Sequence, residues 1–137
     1  MDAPGGVTVL DDCYNANTLS VVAALDTVHD LARAQKGRAV AVLGDMLELG
    51  PGELDEHRKV GERARAAVSL AAFFGPRSKV TQEAAGIGVH FTELGPLIDW
   101  LKPQLQPSDV VLVKGSRGMK LERVVEALSG GASGGAH

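Results

Sequence analysis

The chain has 137 residues, 45% of them hydrophobic, and a formal net charge of -3 with acids and bases mixed along its length. That fits one domain with a single core and excludes the basic footprint of a nucleic-acid binder. No apolar run approaches the roughly 20 residues of a membrane span, the amino terminus carries no export signal, and the one cysteine, Cys13, allows no internal disulfide, so a cytoplasmic setting is expected.

Val7–Leu10 reads as a buried strand. It gives way to Asp11-Asp12-Cys13-Tyr14-Asn15-Ala16-Asn17-Thr18. Two adjacent carboxylates at a strand's carboxyl end are costly to desolvate, so their place is the open crevice where α/β sheets bind ligands. Asn17 or Thr18 can cap the following helix, whose Val21, Leu25, Val28 and Ala32 form one stripe beside Val22 and Leu31. Gln35-Lys36-Gly37 should end it, the glycine serving as a left-handed cap. Arg38–Leu43 is a second strand, apolar enough to be covered on both faces, and a glycine-punctuated loop, 44–52, follows it.

Glu53, Asp55 and Glu56 open a helix reaching about Val68, with His57, Val60, Gly61, Ala64 and Val68 on one face and Gly61 permitting close packing. Ser69–Phe74 is a third strand, Lys79–Ala85 a short helix and Val89–Phe91 a short strand. Thr92 is expected to cap a helix carrying Leu94, Leu97, Ile98 and Leu101, which Pro103 ends. Asp109–Val113 is the last strong strand, leading through Lys114-Gly115-Ser116-Arg117-Gly118 to a closing helix with Leu121, Val124, Val125 and Leu128 on one face. Residues 1–128 are therefore read as the domain and 129–137, too poor in apolar surface to order itself, as a disordered tail.

Strands alternating with helices at this spacing predict an α/β fold, a Rossmann-like open, mostly parallel sheet with helices on both faces. The carboxyl ends of such strands face one way, so the loops at 11–18, 44–52 and 114–118 should line one rim. Lys114 and Arg117, between glycines at a strand-to-helix junction, suit a phosphate or carboxylate; a solvated turn is the competing reading. Asp12 can accept from vicinal hydroxyls, as acids on dinucleotide folds do with ribose. Tyr14 can stack on a base, and Asp45 and Glu48 can hold a cation or an amine. His57, on an apolar face, reads as a hydrogen-bonded core histidine rather than a base. Neither Gly-x-x-x-x-Gly-Lys-Ser/Thr nor Gly-x-Gly-x-x-Gly occurs, and His29 and His90 lack partners at metal-ligand spacing.

Asp11–Ser20, Ala41–Gly50, His57–Gly61 and Asp109–Met119, in this order and over nearly the whole chain, resemble the carboxy-terminal domain of the MurF family of Mur ligases. Those enzymes are the UDP-N-acetylmuramoyl-tripeptide:D-alanyl-D-alanine ligases of peptidoglycan synthesis. Thr18 stands where the family usually has proline, and Cys13 where it has serine. The resemblance implies the third domain of a ligase in which ATP phosphorylates the carboxylate of UDP-MurNAc-tripeptide and the amine of D-Ala-D-Ala attacks the acyl phosphate. The phosphate loop and Mg²⁺ ligands would sit in a central domain over which this one closes, leaving no catalytic residue or metal ligand here and an isolated piece that is inert. By the same resemblance Asp12, Tyr14, Asn15 and Asn17 would meet the nucleotide. Lys114, Ser116 and Arg117 would receive the dipeptide, with Asp45 and Glu48 bordering that cleft. A free-standing nucleotide- or peptide-binding module and another Mur-type amide ligase are the alternatives; Tyr14–Asn17 together with Gly44-Asp45-Met46 speaks against the latter.

Overall fold

A computed structural model describes residues 2–13, 16–47 and 49–130. Its strands are β1 (Asp2–Ala3), β2 (Val7–Asp12), β3 (Ala39–Gly44), β4 (Leu70–Phe74), β5 (Val89–Phe91) and β6 (Val110–Lys114). Between them lie α1 (Thr18–Ala34), α2 (Glu53–Ala67), α3 (Ser78–Ala85) and α4 (Leu94–Leu101), and α5 (Glu122–Leu128) follows β6. The strands form one sheet in the order β1-β2-β6-β3-β4-β5, parallel throughout except for the antiparallel β1–β2 pair. This is the expected open α/β sheet.

The continuous apolar runs are explained by the two layers of helices. Along β3, Ala39, Ala41 and Leu43 join Val21, Leu25, Val28, Val60 and Ala64 of α1 and α2 in one core. Val40 and Val42 join Leu97, Leu101, Val124 and Val125 of α4 and α5 in the other. β6 alternates the same way, with Val110 and Leu112 on the first side and Val111 and Val113 on the second, as the period of two demands. Close packing at Gly61 is realised, since a Cβ there would stand 2.3 Å from the Thr81 carbonyl oxygen of α3.

Three local expectations change, and one strand was not foreseen. β2 runs on through Asp11 and Asp12 instead of stopping at Leu10. The left-handed residue closing α1 is Lys36 (φ 59°); Gly37 is glycine because a Cβ would meet the Ser108 carbonyl oxygen at 1.7 Å. Glu93, not Thr92, is the N-cap of α4, and it gives no side-chain cap. β1, folded back on β2 through Gly5 and Gly6, both at positive φ, is too short to show any periodicity in the sequence. At the far end Ser129 closes α5 by donating its N–H to the Val125 carbonyl; residues 131–137 of the expected tail lie outside the described residues.

The register fixes the rim. Asp12 pairs with Lys114, and Lys114 pairs on its other side with Leu43, so the carboxyl ends of β2, β6 and β3 stand side by side. Gly44 and Gly115 make the junction tight, because a Cβ on either would lie within 3 Å of the Leu121 side chain.

Candidate functional site

At the centre of the rim the Lys114 ammonium donates to Asp12 Oδ2 at 2.6 Å. The Lys114 side chain is 3% exposed and that of Asp12 48%. A lysine taken this far from water needs a carboxylate partner, so the pair anchors Asp12 from below. The second carboxylate oxygen has no protein donor among the described residues. Two residues beyond Gly115, Arg117 projects into solvent with no ion pair among the described residues, in a turn closed by the Met119 N–H on the Ser116 carbonyl at 3.2 Å and followed by Gly118 at φ 96°.

Ser116 is a stitch between loops. Its Oγ accepts from the Leu47 N–H at 2.8 Å, and its own N–H donates to the Asp45 carbonyl at 3.2 Å, which ties the β6 loop to the β3 loop. Asn17, expected near the nucleotide or as a cap, is the cap: its Oδ1 accepts from the Ser20 N–H at 2.9 Å while Ser20 Oγ accepts from the Asn17 N–H, a reciprocal box.

The expectation for Asp45 is overturned. Its carboxylate is 1% exposed and accepts from the Ser78 N–H and Oγ–H, both at 2.8 Å, and from the Arg77 N–H at 3.2 Å. It caps α3 from across the sheet and has no lone pair turned toward a ligand. Gly75 permits this, since a Cβ there would stand 2.6 Å from the carboxylate. His57 is the core histidine the sequence suggested. Buried, it donates from Nδ1 to the Glu53 carbonyl at 2.7 Å and accepts at Nε2 from the Met46 N–H at 3.0 Å, so it clamps the β3 loop to α2. Tyr14, Asn15 and Glu48 lie outside the described residues.

Cys13 sits beneath the acid pair, its Sγ–H directed at the Val113 carbonyl. Burial pushes its thiol far above the ordinary range, and the hydrogen bond and charge of Asp11 with the charges of Glu122 and Asp12 add to this, so it is no nucleophile. No three His, Cys, Asp or Glu side chains converge as a metal site among the described residues, and no helix there is long and apolar enough to cross a membrane. One feature of this edge escaped the sequence reading. Leu19, 84% exposed, flanks a shallow depression of about 370 Å³ with Leu49, Thr18 and Glu56. The available signal was a leucine off the Val21-Leu25-Val28 stripe in the first turn of a helix.

Known proteins resemble this chain in sequence and fold. The family described as "Mur ligase, glutamate ligase domain" matches residues 1–117. Among curated proteins, the chain is 40% identical over 123 residues to the UDP-N-acetylmuramoyl-tripeptide--D-alanyl-D-alanine ligase of Escherichia coli, covering 88% of this chain and 26% of that protein. To the Bacillus subtilis enzyme of the same name it is 34% identical over 131 residues, covering 90% and 28%. The chain thus spans about a quarter of the length of these relatives. Among solved structures, the MurF ligase of Thermotoga maritima in complex with ADP superposes with a TM-score of 0.82 at 24% identity, over 98% of this chain and 30% of that one. A MurF of Acinetobacter baumannii superposes with a TM-score of 0.76 at 28% identity, over 95% and 29%.

Proposed function

Since the chain belongs to the Mur ligase family, we propose that it is the carboxy-terminal domain of an ATP-dependent ligase that adds D-Ala-D-Ala to UDP-MurNAc-tripeptide in peptidoglycan synthesis. The observation that carries the reading is the rim itself: Asp12, held by Lys114 with one oxygen to spare, and Arg117, exposed and unpaired among the described residues, are brought to adjoining strand ends. The relatives of this chain are named for that reaction.

In this reading Asp12 accepts hydrogen bonds from the ribose hydroxyls of ATP, a geometry a carboxylate with one free oxygen satisfies, with Tyr14 and Asn15 next in the same loop. Lys114 is a positioning residue that fixes the Asp12 rotamer and supplies positive potential below the site. Arg117 receives the dipeptide carboxylate through its planar donor fork. Ser116 and His57 keep the two loops in register. ATP phosphates and Mg²⁺ are held by other parts of the longer protein, in keeping with the absence of a phosphate loop from the sequence. Mg²⁺ there would neutralise charge on the transferring phosphoryl group. The domain's contribution is binding and orientation, with Leu19 as an apolar foothold for closure onto the preceding domain. The isolated chain is accordingly inert.

The test is steady-state phosphate release by the complete enzyme. Arg117→Ala should raise the KM for D-Ala-D-Ala about tenfold or more, the loss expected for one charge-assisted contact, and leave the KM for ATP unchanged. A variant with both constants unaltered would remove Arg117 from the site.

A further inference from the structure

The loop that leaves β2 is fixed at its beginning, because Asp12 still sits in the ladder opposite Lys114 and takes the Lys114 ammonium as well. Its far end, where α1 starts, is tied to a different helix. Thr18, the first residue of α1, donates its hydroxyl to Glu56 Oε1 at 2.5 Å, and Lys59 donates to Glu56 Oε2 at 3.0 Å. A hydroxyl on an ionised carboxylate is among the stronger hydrogen bonds. The Thr18 hydroxyl first, and the Lys59 ammonium after it, hold the Glu56 carboxyl below its ordinary value. Helix packing does not require this bond. The stripe that seats α1 against α2 starts at Val21, with Leu25, Val28, Val60 and Ala64 behind it, whereas in the first turn Leu19 is exposed and Ser20 is occupied by the capping box. Ahead of the cap, the buried Ala16 offers one methyl group.

Glu56 and His57 are neighbours on α2, and each reaches a different loop of the rim. Glu56 holds the loop after β2 through Thr18, and His57 holds the loop after β3 through the Met46 N–H. Ser116 ties that second loop to the one after β6, and Lys114 ties the third back to Asp12. These four bonds close a ring around the rim, in which Thr18–Glu56 is the member farthest from Asp12 along the first loop. We infer that Thr18 and Glu56 are a pair of positioning residues for the nucleotide: by fixing the start of α1 to α2 they set the course of the loop from Asp12 to Asn17 and the contacts it makes with ATP. Neither residue has to touch substrate. A loop held at both ends before the ligand arrives loses less freedom on binding, so the ligand is bound more tightly. The inference rests on the reading of this loop as the nucleotide contact, to which it adds a residue of α2 that the reading did not include.

Steady-state kinetics on the complete ligase tests this. Thr18→Val keeps the shape and removes the donor; it should raise the KM for ATP about threefold, the scale of one solvent-accessible hydrogen bond, with kcat and the KM for D-Ala-D-Ala little changed. Thr18→Ser, which restores the hydroxyl, should behave as the wild type. Glu56→Ala should reproduce the rise seen with Thr18→Val, and the double variant should add nothing to either single one, because the two side chains make one bond. A bond that only stapled the helices would lower the urea midpoint and leave every KM alone, and that result overturns the inference. So does a double variant whose rise is the product of the two single ones. Asp12→Ala, assayed in parallel as a folded protein, separates this inference from the reading beneath it. If Asp12→Ala raises the KM for ATP and Thr18→Val does not, the positioning pair alone fails; if neither raises it, the nucleotide contact fails and the pair falls with it.

Discussion

Asp12 and Asp45 end neighbouring apolar runs on one edge of the sheet, separated by β6 alone, yet their carboxylates have opposite fates. Among the described residues Asp12 has one donor, the Lys114 ammonium, on Oδ2, and its side chain is half exposed. Asp45 has three donors from the start of α3 and is shut away from water. What separates them is the neighbouring strand. β6 offers Asp12 a single long side chain from below, whereas the turn after β4 lays a helix start directly onto Asp45. An acid at a strand's carboxyl end is thus a candidate for ligand binding only when no helix amino terminus has consumed it.

The largest effect that distinguishes the two should be on stability. Asp45→Ala strands the Ser78 and Arg77 amides in a dry corner and should cost about 3 kcal/mol, measured by urea unfolding. Gly75→Ala, which drives a Cβ into the same carboxylate, should approach that loss. Asp12→Asn, which leaves the buried Lys114 ammonium an acceptor, should cost only about 1 kcal/mol. Equal losses at Asp12 and Asp45 would break the distinction between an open and a consumed carboxylate.

A third acid sharpens it at the opposite end of β6. Burial opposes ionisation of Asp109, but the Arg38 guanidinium at 2.7 Å and the Gln106 amide outweigh it and hold the carboxyl below its ordinary value of 3.8. A carboxylate with a depressed folded-state value stabilises fully above its unfolded value, and the contribution disappears as pH falls through the folded one. Stability should therefore decline as the pH is lowered through and below about 3.8, and Asp109→Asn should flatten that part of the profile while lowering the plateau at neutral pH. The smallest effect concerns Cys13: with its thiol buried and pushed upward, a maleimide should leave it unmodified in the native protein and label it after denaturation.

The α/β architecture was legible because each core strand is apolar on both faces and each long helix carries a stripe at helical spacing. The convergence of the three loops followed from the parallel sheet, and the register of Asp12, Lys114 and Leu43 bears it out. Asp45 was misread because its partners, Arg77 and Ser78, lie more than thirty residues away, and no local pattern shows that the start of α3 will stand against it. Gly37 was misread for the same reason, its constraint coming from Ser108 rather than from its own helix. β1 was missed because a two-residue strand has no period to detect.

The central claim is that the rim at Asp12 is a nucleotide contact completed by the rest of a longer ligase. Its most direct test is the KM for ATP of the complete enzyme carrying Asp12→Ala, measured beside that of the wild type under conditions where both are folded. The account predicts a rise of about tenfold, corresponding to ~1.4 kcal/mol of lost binding, with the KM for D-Ala-D-Ala little changed. An unaltered KM for ATP in a folded, active variant would contradict it.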